Sequence, residues 1–123
     1  KPGMPTRVAR YDGETGEYLG DFVPAGSGGL GGSNPGMQFG PDFNADGIAD
    51  LYITSGDTHE VLVYDGIDGS FLGVFVEAGS GGINLVGGDL HFRDIDEDGD
   101  LELFAVSANP RGVNMYSGVD GSF

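Results

Sequence analysis

The chain repeats itself at a spacing of just over fifty residues, and this repeat limits its fold more than any other feature. The segment Val8–Gly16 recurs as Val61–Gly69 and again as Val113–Gly121, at offsets of 53 and 52 residues. A second match pairs Leu19–Gly29 with Leu72–Gly82, again 53 residues apart. A fixed period of this length predicts stacked units, each of which buries its apolar surface against its neighbours.

Each period contains four short segments of strand composition, separated by turn residues. These segments are rich in β-branched and aromatic residues, and several alternate apolar and polar positions as half-buried strands do. We label them A to D in the order of a full period. The predicted strands are A at Met37–Phe39 and Leu90–Arg93, B at Leu51–Ser55 and Leu103–Ser107, C at Val8–Tyr11, Val61–Tyr64 and Val113–Tyr116, and D at Tyr18–Val23 and Phe71–Val76. Four antiparallel strands per fifty-residue period are typical of a β-propeller blade, so the sequence predicts an all-β fold.

A glycine-rich connector follows strand D in both copies, at Ala25–Gly29 and Ala78–Gly82. A phosphate-binding loop would need a Gly-Lys-Ser/Thr sequence and a following helix, and the chain has neither pattern here. Glycine is also common where two backbones approach closely. We therefore expect a tight connection between successive units.

Two acidic segments, Asp42–Asp50 and Asp94–Glu102, lie between strands A and B. Oxygen-bearing side chains occupy relative positions 1, 3, 5 and 9, glycine at position 6 permits a sharp turn, and position 7 would donate its carbonyl. Such a set of oxygen donors suits Ca²⁺ better than zinc or copper. An Asp/Asn/Gly-rich turn without an ion is the plainer alternative. The predicted ligands of two calcium ions are Asp42, Asn44, Asp46, Ile48 and Asp50 in the first loop and Asp94, Asp96, Asp98, Asp100 and Glu102 in the second.

The residues after each loop distinguish between families of calcium-binding loops. An EF-hand or dockerin loop leads into a helix, and the EF-hand has a bidentate Glu at position 12, where this chain has Ile53 or Ala105. An Asp-x-(Asp/Asn)-x-Asp-Gly loop that enters a strand resembles the FG-GAP or VCBS-type repeat of integrin-like β-propellers. The resemblance covers essentially the whole chain. It implies an ion in the A-to-B hairpin loop of each blade.

The ends of the chain do not coincide with the ends of a repeat. The expected units are a partial blade with strands C and D plus the connector at 1–35, a complete blade with the first calcium loop at 36–88, and a partial blade with strands A, B and C and the second calcium loop at 89–123.

This register predicts open strand edges and an exposed apolar face at Leu19, Phe22 and Val23. The chain would then be a segment of a longer array, or several chains would pool their blades into a ring or a filament. The expected partners are accordingly other copies or flanking repeats, with an extracellular protein or a glycan as a further possibility.

The composition narrows the range of partners. Twenty acidic residues against five basic ones give a formal charge of −15, which disfavours nucleic acid and anionic membranes and favours divalent cations. The chain has no cysteine, and it has no long apolar run of the kind that crosses a membrane. Paired calcium loops on an acidic chain predict a secreted or cell-surface protein, because millimolar calcium is found outside cells.

Two functions are compatible with these features. The first is a non-catalytic calcium-binding module with a structural, adhesion or assembly role. The alternative is a set of blades from a larger secreted enzyme, quinoprotein-, lyase- or hydrolase-like, whose active site lies outside this segment. His59 is expected in the B–C turn and His91 in strand A, and neither belongs to a recognisable catalytic motif. We therefore expect no catalytic residue in this chain.

Overall fold

Nine strands lie close to the predicted positions in the structure, a computed structural model that describes residues 5–32, 35–84, 89–108 and 111–123. In chain order the strands are β1 (Val8–Tyr11), β2 (Tyr18–Val23), β3 (Met37–Gly40), β4 (Asp50–Ser55), β5 (Glu60–Tyr64), β6 (Phe71–Val76), β7 (Leu90–Arg93), β8 (Glu102–Ala108) and β9 (Arg111–Ser117). Every predicted strand is present, and its bounds move by no more than two residues. The all-β prediction is confirmed for the described residues, since apart from strands they contain two short 3₁₀ turns.

The strands form three antiparallel sheets, one for each predicted unit. The first sheet pairs β1 with β2, the second has the order β3-β4-β5-β6, and the third has the order β7-β8-β9. The four-stranded second sheet has the strand order of one complete A-to-D unit. The described residues do not close into a ring, so the propeller and its number of blades stay predictions.

The central strands of the second sheet, β4 and β5, are buried on both faces, one against each neighbouring sheet. We call the face toward the preceding sheet proximal and the face toward the following sheet distal. Along β4, Leu51 and Ile53 point to the proximal side and Tyr52 to the distal side, as the two-residue period of a strand requires. The sheets are thus stacked in chain order.

Each interface between sheets has its own apolar core. The first core contains Val23 and Leu30 from the first unit and Leu51, Ile53, Leu62 and Tyr64 from the second. The second core contains Tyr52, Val61, Val63, Phe75 and Val76 from the second unit and Ile83, Leu90, Leu103, Ala105 and Tyr116 from the connector and the third. The burial of apolar area at these two interfaces is the main stabilising contribution in such a stack.

The predicted exposed face on strand D of the first unit is wrong in part. Val23 is fully buried, and Phe22 packs against the first core. Val23 is covered, and Phe22 is partly covered, because the distal face of the first sheet packs on the second sheet. Leu19, in contrast, is 48% exposed, as expected.

The glycine-rich connectors form 3₁₀ turns that hold neighbouring sheets together. The Tyr64 hydroxyl donates a hydrogen bond to the Ser27 carbonyl at 2.6 Å. A Cβ atom at Gly28 would overlap the Phe71 ring, so this position requires glycine. The same contacts recur one repeat later, between Tyr116 and Ser80 and between Phe123 and Gly81. The expectation of a tight connection with close approach is therefore confirmed.

Candidate metal centre

The first acidic loop turns back on itself around the carboxylate of Asp42. This carboxylate accepts the backbone N–H of Asp46 at 3.1 Å and that of Gly47 at 2.6 Å. Asp46 in turn accepts the N–H of Ile48 at 2.9 Å. Gly47 has a φ of +85° and Ala45 a φ of +62°, so two left-handed residues produce the sharp turn. Ala45 is a non-glycine residue in a sparsely populated conformation, which the loop holds in place.

The second loop has the same backbone path, 52 residues later. Asp94 accepts the N–H of Asp98 at 3.1 Å and that of Gly99 at 2.9 Å, and Asp98 accepts the N–H of Asp100 at 2.9 Å. Glu97 and Gly99 take left-handed φ values of +59° and +92°. The turn geometry that the spacing of the acidic residues predicted is thus present in both copies.

Different interactions shift the pKa values of the aspartates in the two loops. Desolvation alone would raise the pKa of Asp42, but the N–H donors of its own loop outweigh this effect and hold the pKa below its usual range. Desolvation also raises the pKa of Asp96, and there the hydrogen bond to Asp98 and the nearby negative charges of Asp98 and Glu102 raise it further. The N–H of Asp100 lowers the pKa of Asp98. The second loop therefore crowds carboxylates that repel one another, a repulsion that a divalent cation would relieve.

The first loop brings three carboxylates together. Oxygen atoms of Asp46, Asp50 and Asp65 all lie within 4.8 Å of one another. Asp65 lies just after β5, outside the loop, and its Oδ2 atom also accepts the Asn44 side-chain N–H at 3.1 Å. Sequence reasoning missed Asp65, which looked like an ordinary residue of the Tyr-Asp-Gly turn between strands C and D.

Asp50 joins the loop to that same turn. Its side chain is fully buried, and its carboxylate accepts the N–H of Phe43 at 2.8 Å and that of Gly66 at 2.9 Å. Gly66 is required, because a Cβ atom there would overlap the Ala49 carbonyl. Both carboxylate oxygens therefore accept N–H groups from two different hairpins, and each retains a lone pair for another partner.

The second loop gathers its carboxylates from within the loop itself. Oxygen atoms of Asp94, Asp96 and Glu102 lie within 4.8 Å of one another, and Glu102 accepts the Ile95 N–H at 3.0 Å. The residue equivalent to Asp65 is Ser117, which has no carboxylate to contribute.

Some of the predicted calcium ligands lie in the two groups of close carboxylates, and others do not. Asp46 and Asp50 of the first predicted set and Asp94, Asp96 and Glu102 of the second lie in the two close groups. The carboxylates of Asp42 and Asp98 accept backbone N–H groups of their own loops and lie outside these groups. Ile48 and Asp100 were predicted to contribute their backbone carbonyls, which the side-chain grouping does not describe.

The donor chemistry fits calcium. All members of both groups are carboxylates, the oxygen donors that Ca²⁺ prefers, and no imidazole is among them. His59 lies in the turn between β4 and β5 and His91 lies within β7, and neither is a member of the two carboxylate groups.

The two loops also mark the boundaries of a match to a known family. The family model for the FG-GAP-like repeat matches residues 42–105, a range that starts at the first residue of the first loop and includes the whole second loop. This range is just over half of the 123 residues. The chain belongs to the FG-GAP-like repeat family. The comparisons found no matching curated protein and no matching solved structure.

A membrane-spanning helix was not expected in this FG-GAP-like chain. Within the described ranges, no helix has the length and apolar character needed to cross a bilayer.

Proposed function

We propose that the chain is a calcium-stabilised, non-catalytic β-repeat module that works outside the cell in a structural, adhesion or assembly role. Two calcium ions per chain would bind, one at each A-to-B loop. The observation that carries this proposal is the pair of all-carboxylate groups whose oxygen atoms lie within 4.8 Å of one another, each at an Asp-x-(Asp/Asn)-x-Asp-Gly turn.

Bound calcium would supply positive charge that allows neighbouring carboxylates to stay ionised side by side. In the first site, Asp46 and Asp50 of the loop would share the ion with Asp65 of the following turn. The Asn44 amide, which lies 3.1 Å from Asp65, would present its oxygen to the ion after rotation of the amide. The ion would then connect the β3–β4 loop to the β5–β6 turn.

The second site would use Asp94, Asp96 and Glu102, with Asp98 and the Asp100 carbonyl as the remaining predicted ligands. These residues belong to one loop. The ion would therefore organise the loop itself rather than connect two hairpins.

We infer an extracellular location from the concentration of calcium that is available to the two sites. A chain with a formal charge of −15 and two exposed carboxylate loops is suited to the millimolar calcium found there. The outer edges of β1 and β9 have no strand neighbour among the described residues, which supports attachment to further β-strands from flanking repeats or from another copy.

Isothermal titration of the chelator-treated chain with CaCl₂ tests this function. We expect two bound ions per chain. Asp46→Ala should remove the first site and leave the second, and Asp98→Ala, the matched change at the same relative position, should do the reverse. Titrations without calcium-dependent heat would show that the two loops are turns and nothing more.

Thermal unfolding supplies an independent measurement. A ligand that binds only the folded state stabilises it by about 2.7 kcal/mol per site at a hundredfold excess over Kd. The melting temperature should therefore rise with calcium and fall with EDTA, while the far-ultraviolet circular dichroism of the folded state stays that of a β-protein. A melting temperature that is the same in calcium and in EDTA would contradict the proposal.

A further inference from the structure

A cavity of about 360 Å³ lies between the second and third units, at the end of the strands that carries the two acidic loops. Its walls come from both loops, from β4 and from the turn after β9. We call it the inter-loop cavity. Its volume is within the range of about 300–1,000 Å³ that is usual for ligand pockets.

Contacts with the rest of the structure fix the walls of this cavity. The fully buried Tyr52 forms its floor and donates a hydrogen bond to the Pro41 carbonyl at 2.9 Å. On the opposite wall, the Gly118 N–H donates to the Leu101 carbonyl at 2.9 Å, and a Cβ atom at Gly118 would overlap that carbonyl. Each loop is thus held to a neighbouring element, and the cavity is preformed.

The cavity is lined by two acidic residues, Asp42 and Asp100, and none of the described residues that line it is basic. Both residues lie outside the two groups of close carboxylates. The Asp42 oxygens accept backbone N–H groups but retain lone pairs, and no described residue donates a hydrogen bond to the Asp100 carboxylate. Two negative charges are therefore available to a partner from outside the chain.

Apolar side chains surround these two carboxylates. Phe43, Leu101 and Val119 line the cavity and are 43%, 36% and 65% exposed. The exposure of Val119 is a property of its place in the turn, because its repeat equivalent Ile67 is 60% exposed although the third sheet packs on the second. Carboxylates beside apolar walls suit a cation on an apolar stem, as in lysine and arginine.

We propose that the inter-loop cavity binds a basic side chain of a partner protein. The charged end lies toward Asp42 and Asp100, and the stem packs along the apolar walls. Arginine fits better than lysine, because its planar guanidinium pairs with carboxylates and stacks on an aromatic ring such as that of Phe43. This proposal adds a class of partner to the adhesion or assembly role, and it depends on the geometry of the loops rather than on bound ions.

The test is a titration of the isotope-labelled, calcium-loaded chain with the peptide acetyl-Leu-Arg-Leu-amide, followed by amide NMR spectra. The N–H signals of Gly99 and Gly118, which line the cavity, should shift as the peptide binds. The peptide acetyl-Leu-Gln-Leu-amide should bind about tenfold more weakly, the lower end of the loss for a hydrogen bond between charged groups.

Two lysine substitutions at equivalent turn positions locate the site. Val119→Lys places a positive charge at the cavity and should weaken binding of the arginine peptide by about tenfold. Ile67→Lys makes the same change in charge at the equivalent position of the preceding unit, outside this cavity, and should leave the binding unchanged. Val119→Glu should strengthen the binding. The dispersion of the amide signals checks that each variant is folded.

Four outcomes would overturn the proposal. They are signals of Gly99 and Gly118 that do not move, equal binding of the arginine and glutamine peptides, a Val119→Lys chain that binds the peptide as the wild type does, and an Ile67→Lys chain that loses as much binding as Val119→Lys. Calcium titration of the same samples keeps this result separate from the proposed function. A chain that binds two calcium ions but no peptide overturns the assignment of the cavity alone, whereas peptide binding that persists in EDTA supports that assignment whether or not calcium binds.

Discussion

The two acidic loops share a backbone path but are anchored to the rest of the molecule in different ways. In the first loop, the buried Asp50 accepts N–H groups from both the loop and the β5–β6 turn, and Asp65 of that turn lies beside Asp46. In the second loop, Glu102 accepts an N–H of its own loop, and the equivalent turn glycine, Gly118, donates to the Leu101 carbonyl instead. The first loop is therefore joined to the next turn through a buried carboxylate, whereas the second loop is joined to the corresponding turn by a backbone hydrogen bond.

The hydrophobic contacts of the two loops differ in the same way. Phe43, at the second position of the first loop, packs edge-to-face on Phe75 of β6, with ring centroids 6.0 Å apart. Phe43 is itself 43% exposed, and Ile95, at the same position of the second loop, is 57% exposed. A shared loop motif thus produces the same turn in both units, but the side chains at its variable positions and in the neighbouring turn decide how strongly each loop is coupled to the core.

The largest predicted difference in stability is between the variants Asp50→Ala and Glu102→Ala. In the calcium-free protein, Asp50→Ala should lower the free energy of unfolding by about 3 kcal/mol, because two N–H groups lose a buried acceptor at about 1–3 kcal/mol each. Glu102→Ala should cost about 1 kcal/mol, since one N–H loses a partly exposed acceptor. Urea unfolding in EDTA, followed by circular dichroism, measures both.

Asp50→Asn serves as the control for this pair, because it keeps one acceptor oxygen and should fall between the wild type and Asp50→Ala. Equal losses for Asp50→Ala and Glu102→Ala would show that the two loops are anchored with equal strength.

A smaller effect is predicted for the turn residue that distinguishes the two sites. Asp65→Asn should weaken calcium binding at the first site by about tenfold or more, the lower end of the loss found when a residue that supports a metal site is removed. Ser117→Asp should strengthen binding at the second site, because it places a carboxylate at the equivalent position. Calcium titrations of each variant, with the other loop disabled, measure the two affinities separately.

Asp12→Asn is the matched control for this change. Asp12 has the same position in the turn of the first unit, where it accepts the N–H groups of Glu14 and Thr15, and it is not a member of either group of close carboxylates. If Asp12→Asn changes the calcium affinity as much as Asp65→Asn does, the effect of Asp65 is due to net charge rather than to direct contact with the ion.

The smallest predicted effect concerns the second position of each loop. Phe43→Ala should destabilise the protein by about 1 kcal/mol, the range measured for an edge-to-face aromatic pair. Ile95→Ala should change the stability by less than about 0.5 kcal/mol, as is usual for an exposed side chain. Thermal unfolding in excess calcium compares the two variants, and equal shifts would contradict the proposed coupling of the first loop to the core.

Strand positions and loop turns were predictable from the sequence because both depend on neighbouring residues. Alternation of apolar side chains and the fifty-residue period placed the nine strands, since a strand's faces are set by residues two positions apart. Asp at alternate positions followed by Gly47 or Gly99 predicted the loop turns, since the hydrogen bonds of Asp42 and Asp94 join residues no more than five positions apart.

The tertiary structure decided which residues meet across the chain. Asp65 lies 21 residues from Asn44, and Tyr64 lies 37 residues from Ser27, yet both pairs are hydrogen bonded. No local pattern distinguishes Asp65 from Asp12, because both cap the same kind of turn. Asp65 approaches a carboxylate loop because the second unit has its own A and B strands beside β5, and Val23 is buried because that unit packs on the first. Such contacts depend on the order in which sheets pair and stack, which residues close together in sequence do not specify.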